Sequence, residues 1–348
     1  MTNLKLQTKT QRVQKHKNTR HSLDNIEISS HYGFSKTRES QYYKAIRKYG
    51  TNRKLTTIIN YLKTKKRTDK EWIKKYEITY SCQNVLLQQG DKFLSSRCRK
   101  RWCQNCNRQK SAKLYSDYES HLMSMHKDNG LYFVTLTAPT CKERELSSTI
   151  DKRIKAFVRI KNNIRMRYKT KLNGFRKLEV THNKVTDRYH PHFHFIVQGE
   201  REAYLLLALW MQQFGEASIK AQDVQKLDIL DTNKKALAEV FKYATKGVVK
   251  DTTEARAEHN IQKAILGRRI YQTYGSLYNI KSKDIKETEQ TSFDWMPYKE
   301  FEIYKYDDSL KDWTSAKGEQ IVHTQQIENY ERQKTNEKRK SLYSTDGN

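Results

Sequence analysis

Tyr189-His190-Pro191-His192-Phe193-His194-Phe195-Ile196-Val197 is the stretch around which the rest of this sequence arranges itself. On a β-strand alternate side chains share a face. His190, His192 and His194 therefore point one way, while Phe193, Phe195 and Val197 point the other. A strand with an apolar face is expected to lie half-buried on a core. Just upstream, Phe175–His182 has the same strand-like pattern and connects to Tyr189–Val197 through the turn-like Asn183-Lys184-Val185-Thr186-Asp187. Two strands joined in this way form a hairpin. In the first of them, Glu179 and Thr181 share one face and Leu178 and Val180 the other, so the pairing brings Glu179 to the histidine side.

Outward from the hairpin, the pattern predicts a strand at Leu131–Thr137, a helix at Ser147–Tyr168 and a helix at Glu202–Phe214 that ends at Gly215. A short strand is expected within Ala217–Asp228, then a helix over Lys234–Lys246 that stops at Gly247. Strand, helix, hairpin, helix, strand, helix is the order of an α+β domain, a central antiparallel sheet with flanking helices. The expected organisation is a flexible basic arm over 1–35, a helical region over 36–75, a Cys-rich segment over 76–110, the sheet domain over 111–280 and a partly disordered C-terminal extension over 281–348.

The 348 residues carry a formal charge of +29. An excess of that size points to a polyanionic partner, and nucleic acid suits it because neutralising phosphates releases condensed counterions. A ribosome-associated or membrane-surface protein could carry the same charge. No stretch approaches the ~18 apolar residues that span a bilayer, and Met1-Thr2-Asn3-Leu4-Lys5-Leu6-Gln7 has no apolar signal core. The expectation is therefore a cytoplasmic protein with no membrane partner, whose cysteines are thiols or metal ligands.

Three sets of residues carry chemistry. His192 and His194, two apart on a rigid strand, can reach one cation, and neutral imidazole suits Mn, Zn, Fe or Ni. Glu179 would add an anionic oxygen and leave positions open for water or a phosphate oxygen. The bland alternative is a strand whose histidines simply face solvent. In Ala238-Glu239-Val240-Phe241-Lys242-Tyr243-Ala244-Thr245-Lys246, Glu239 and Tyr243 are i, i+4 neighbours on a helix, with Lys246 on the same face. A phenol is a poor nucleophile at its free pKa near 10. A polarised phosphodiester and nearby lysines make its attack feasible, and a neighbouring carboxylate can activate water. Taken alone, such a pair is usually a surface pair. Cys82, Cys98, Cys103 and Cys106 have the spacing C-x15-C-x4-C-x2-C, with Cys141 apart. Four thiolates in a cytosolic chain suit a structural zinc ion; unrelated thiols or one redox pair are the alternative. Arg97, Arg99, Lys100, Arg101, Arg108 and Lys110 surround them and could present charge to DNA. Lys63–Arg67 reads as a solvated face or linker. Trp72, Tyr76 and Trp102 could stack bases, whereas Trp210 on an apolar helix reads as core.

Phe133-Val134-Thr135-Leu136-Thr137-Ala138-Pro139, the His190–Val197 stretch and Glu239–Lys246, in that order, resemble the signature motifs of plasmid rolling-circle replication initiators. The likeness is to the single-tyrosine branch of the HUH endonuclease superfamily, and it extends over about Cys82 to Gly275, including Leu266–Gly275. It implies a fold like that of HUH endonucleases, with 111–280 as the nickase domain and a zinc-ribbon-like segment before it. It implies that His192 and His194 hold a catalytic divalent ion, Mg2+ or Mn2+, and that Tyr243 becomes linked to a 5′-phosphate and frees a 3′-OH primer. By the same likeness Glu239 directs water at termination, and Lys242 and Lys246 lie near the scissile phosphate. The implied partners are plasmid origin DNA, single-stranded or as an extruded hairpin, and the host helicase and polymerase. A transposase or relaxase of the same superfamily, and a non-enzymatic zinc-containing nucleic-acid-binding protein, are the competing readings.

Overall fold

A computed structural model describes residues 36–65, 69–90, 92–227, 241, 249–278, 280, 301–324 and 327–329. The arm over 1–35 lies outside them, as do Glu239, Lys242, Tyr243 and Lys246 with most of the helix expected at 234–246.

Two helices open the described chain, α1 (Lys36–Lys63) and α2 (Lys70–Tyr80). Asp69 caps α2 by accepting from the Trp72 N–H. The buried positions Trp72, Ile73, Tyr76 and Thr79 recur at helical spacing, so α2 runs past the boundary expected at residue 75. Strands β1 (Val85–Gln89) and β2 (Lys92–Ser95) follow, then α3 (Gln104–Asn129), which starts seven residues ahead of the domain boundary expected at 111 and buries Asn105, Cys106 and Asn107 in its first turn. Next come β3 (Leu131–Leu136), α4 (Leu146–Arg167), β4 (Gly174–Asn183), β5 (Arg188–Gln198), α5 (Glu200–Gln213), β6 (Asp223–Leu227), α6 (Thr252–Ile265), β7 (Tyr271–Tyr274), β8 (Glu302–Asp307) and β9 (Asp312–Ser315). No helix among the described residues is long and apolar enough to cross a membrane.

The strands form two antiparallel sheets. The larger has the order β6-β3-β5-β4-β7, with the histidine strand β5 at its centre. One face packs Tyr132, Val134, Leu178, Phe193, Phe195 and Val197 against α4, α5 and α6, with Trp210 fully buried among them. On the other face the described residues cover only part of the sheet. Leu122 and Met125 of α3 pack on Leu131, Phe175 and Ile196 at one end. The end with His190, His192 and Glu179 lies outside that cluster.

The smaller sheet has the order β2-β1-β8-β9. The hairpin from the Cys-rich segment therefore pairs with strands from the C-terminal extension, β1 with β8, instead of standing alone as a ribbon ahead of the sheet domain. Leu86, Tyr304 and Trp313 form the core beneath it, together with Ala45 of α1.

Trp72, Tyr76 and Trp102 are buried together against Leu55, Ile58 and Leu62 of α1. They are core, not platforms for bases. Arg101 is also occupied: its guanidinium donates to the Ile265 and Arg268 carbonyls at 2.7 and 2.8 Å, closing the C-terminal end of α6. Arg97, Arg99, Arg108 and Lys110 remain exposed around the cysteines. Lys63 and Lys65 are exposed too, in keeping with a solvated face.

Between α1 and α6, Lys54 is 0% exposed and meets Glu258 at 3.3 Å. Removing one partner of a buried pair leaves an uncompensated charge, which costs about 3–5 kcal/mol. Glu258→Ala should lower unfolding stability by about that amount in urea titrations, whereas the double variant Lys54→Met/Glu258→Leu should recover most of it. A cost below about 1 kcal/mol for the single variant would show that water reaches Lys54.

Candidate active site

The β4–β5 ladder sets Glu179 opposite His192 and Lys177 opposite His194. Ligand atoms of Glu179, His192 and His194 all lie within 4.8 Å of one another. His194 Nε2 is 3.4 Å from Glu179 Oε2. The other ring nitrogens are already engaged. His192 Nδ1 lies 3.0 Å from the His190 carbonyl, which can only accept, so Nδ1 carries the proton and Nε2 keeps its lone pair. His194 Nδ1 lies 3.1 Å from Thr135 Oγ1, directly across the β3–β5 pairing. The His194 ring also stacks on Phe133 at 5.4 Å between centroids. Partners of this kind orient metal-binding imidazoles and select the nitrogen that faces the ion.

Electrostatics favour the protonation states a cation needs. Burial lowers the His192 pKa to about 4, outweighing its bond to His190 and the pull of Glu179. Burial alone would raise the Glu179 carboxyl, but the His194 bond and the charges of Lys177 and His192 hold it down at about 2. A neutral His192, the imidazole of His194 and one carboxylate form a donor set for a divalent ion, whose donors sit about 2.0–2.2 Å from the metal and hence ~3–4 Å from one another. His190 stacks on His192 at 5.0 Å but is not in the cluster.

Lys177 is the participant that sequence reading missed. It is 4% exposed, and its ammonium lies 3.1 Å from Glu179 Oε2. The signal was available: Lys177 is two residues before Glu179 on the same strand face. Asp223, opposite Thr135 in register, brings a further carboxyl to this face, and burial raises its pKa.

Of the stretch Glu239–Lys246, only Phe241 is described. It is 1% exposed, with its ring 4.8 Å from that of Phe175 and 6.0 Å from that of Tyr115. Tyr271 Oη lies 3.4 Å from the Phe241 carbonyl. Phe175 shares a face of β4 with Lys177 and Glu179, so Phe241 packs on the histidine side of the sheet.

The four cysteines converge from separate elements: Cys82 after α2, Cys98 after β2, and Cys103 and Cys106 at the start of α3. The Cys82–Cys106, Cys98–Cys106 and Cys82–Cys103 sulfur distances are 3.7, 3.7 and 3.8 Å. These are far longer than a disulfide and match the ~3.8 Å edge of a tetrahedron with zinc–sulfur bonds of ~2.3 Å. Cys82, with the longest gap to its partners, is fixed by Lys48, which donates to the Tyr80 and Cys82 carbonyls at 3.0 and 2.8 Å. Cys141 stands apart, bridging to Tyr189.

Comparison with known proteins follows the same stretch of chain. The model of a family described as replication protein, Rep_1, matches residues 92–319, well over half of the chain. The chain belongs to the replication protein family. That range takes in every candidate residue except Cys82. Similar proteins include Protein rep of Streptococcus pneumoniae, 28% identical over 213 residues, which are 56% of this chain and 64% of that protein. Protein rep of Staphylococcus aureus is 27% identical over 190 residues, 49% of this chain and 81% of the relative. Protein rep of a Bacillus species is 28% identical over 211 residues, 56% of this chain and 64% of the relative. The match thus spans a little under two-thirds of the length of the streptococcal and Bacillus relatives. No solved structure shows a significant match. The resemblance to replication initiators drawn from the motifs holds at the level of this family.

Histidine titration checks the electrostatics. His192 in the folded, metal-free protein should titrate at about 4 against an ordinary 6.5. A depressed folded pKa means its stabilising contribution is present above the unfolded value and lost as pH falls through the folded one. Two-dimensional NMR of the imidazole resonances reads this directly. An assigned His192 midpoint at 6 or above would mean that its ring is solvated.

Proposed function

We propose that this protein initiates plasmid replication by the rolling-circle route, as a metal-dependent, site-specific nickase of origin DNA with an HUH endonuclease fold. The observation that carries this reading is the convergence of Glu179, His192 and His194 on one face of the hairpin. A divalent ion held there would polarise a non-bridging oxygen of the scissile phosphate. Two imidazoles in the donor set favour Mn2+ over the oxygen-loving Mg2+.

The chain's own residues would do the rest. Tyr243 attacks phosphorus with its phenolate oxygen; the P–O3′ bond breaks, the 5′-phosphate stays on the tyrosine and the 3′ oxygen takes up a proton to become a primer. Lys242 and Lys246 stabilise the charge on phosphate and phenolate. Glu239 directs water at the phosphotyrosine when replication ends. Support comes from Phe241, which packs on Phe175 on the histidine face. Two peptide units separate it from Tyr243, a reach of about 7 Å. Lys177 shares Glu179 Oε2 with His194, leaving the other carboxylate oxygen for the ion, and helps to keep the carboxylate ionised.

The four cysteines would bind structural Zn2+, holding α2, β2 and α3 together and presenting Arg99, Arg108 and Lys110 to DNA. Host helicase and polymerase would extend the primer in the cytoplasm. Membership of the replication protein family favours this reading over a transposase or a relaxase.

Tyr243→Phe should abolish the covalent DNA–protein adduct formed on the parent replicon's origin with Mn2+, with DNA binding within about twofold of wild type, since only one hydroxyl is removed. Denaturing gels of labelled origin strand read both. Adduct persisting in this variant would move the nucleophile elsewhere.

A further inference from the structure

A cleft of about 330 Å³ opens on the histidine face of the large sheet, lined by Leu114 and Tyr118 of α3, Phe175 of β4, and Arg269, Tyr271 and Tyr278 around β7. The ladder connects it to the cluster. Along β4, Glu179 is followed in the same row by Lys177 and Phe175, and in register beside these stand Tyr271 and Thr273 of β7. Phe175 lies four strand residues from Glu179, about 13 Å at ~3.3 Å per residue. The face thus presents in sequence an anionic metal-ligand cluster, a buried ammonium and an aromatic recess.

The aromatic rings are tilted against one another, not stacked flat. Tyr118 and Phe175 are 6.2 Å apart, and Phe175 and Tyr271 are 5.6 Å apart. They form a floor, with Tyr278 standing 64% exposed at the rim. Arg269 is exposed at the same rim. Its carbonyl is fixed by Arg176 Nη2 at 3.0 Å, while its guanidinium has no partner among the described residues. Thr273, in register with Phe175, adds a hydroxyl. A planar, partly polar ring beside an anion fits this lining; an aliphatic ligand would leave the guanidinium and the Thr273 hydroxyl unpaired. The volume is at the small end for a ligand site, enough for one ring system.

We infer that this cleft holds one unpaired nucleobase of the DNA strand, a few nucleotides from the phosphate at the Glu179–His192–His194 cluster, with Tyr278 stacking on the base and Arg269 on its phosphate. The inference rests on the functional reading above and adds to it a place where the strand's position is fixed. Stacking on π-faces is tolerant of sequence, so the cleft sets the register of the strand more than the identity of its base.

The test measures binding of a fluorescent oligothymidylate single strand to the full chain without added divalent metal, beside nicking of origin DNA with Mn2+. Tyr278→Ala should weaken binding about 5- to 150-fold, the range for loss of one base–aromatic stack, and Tyr278→Trp should restore it. The salt slope of log K should stay unchanged in Tyr278→Ala but fall by about 0.7 in Arg269→Ala, the amount for one single-strand phosphate contact. Both side chains are exposed, so melting curves should overlay wild type. If wild type binds and nicks while both variants bind equally well, the cleft is overturned and the functional reading stands. A wild-type protein that neither binds the strand nor nicks origin DNA overturns both.

Discussion

The backbone ladder between β4 and β5 places Glu179 opposite His192 and Lys177 opposite His194, and the remaining features of the site depend on that register. A slip of one residue would turn every side chain of one strand to the opposite face. Glu179 would then point into the apolar layer with Phe193 and Phe195. Both ends of the hairpin are pinned. At the tip, Asn183 Oδ1 accepts from the Val185 and Thr186 N–H groups at 2.9 and 3.1 Å, and Asp187 is held by His182 and by Arg256 of α6. At the base, Gly174 has φ +151, and a Cβ there would fall 1.9 Å from the Ile196 carbonyl oxygen, so only glycine allows the strands to approach this closely.

The site combines a rigid seat with unequal solvation. The sheet's apolar layer makes β5 immobile from one side, while the coverage by α3 stops short of His192 on the other. Burial keeps His192 neutral, and the His194 bond together with the Lys177 charge keeps Glu179 ionised. His192 therefore offers a lone pair, and Glu179 an anionic oxygen, before any substrate arrives. A phosphate brought to such a cation would meet further positive charge from a chain whose formal excess is +29.

Local alternation made the hairpin legible in the sequence, and with it the face that carries Glu179, His192 and His194, because period-2 patterning is written residue by residue. The helices α4 and α5 were legible for the same reason at period 3.6. What escaped was structure set by distant partners. α6 was missed because its inward face includes Glu258, His259 and Gln262, of which Glu258 meets Lys54 of α1, His259 meets Tyr76 of α2, and Gln262 donates to Glu258. β7 is four residues long and becomes a strand by pairing with β4. The pairing of β1 with β8 joins residues more than 200 apart, which no local pattern signals. Trp72, Tyr76 and Trp102 looked like stacking groups among many charges, yet three helices close over them. The cysteine spacing, by contrast, led correctly to one cluster, although its ligands are delivered by separate elements and not by a compact ribbon.

The central claim is that one cation is held by His192, His194 and Glu179. Pulsed electron paramagnetic resonance of Mn2+ bound to the full chain tests it most directly, since nitrogen couplings count the imidazoles on the ion. The account requires two coupled nitrogens, one lost in each of His192→Ala and His194→Ala, with His190→Ala unchanged. Mn2+ with no imidazole coupling, or with coupling that disappears only when His190 is replaced, would contradict it.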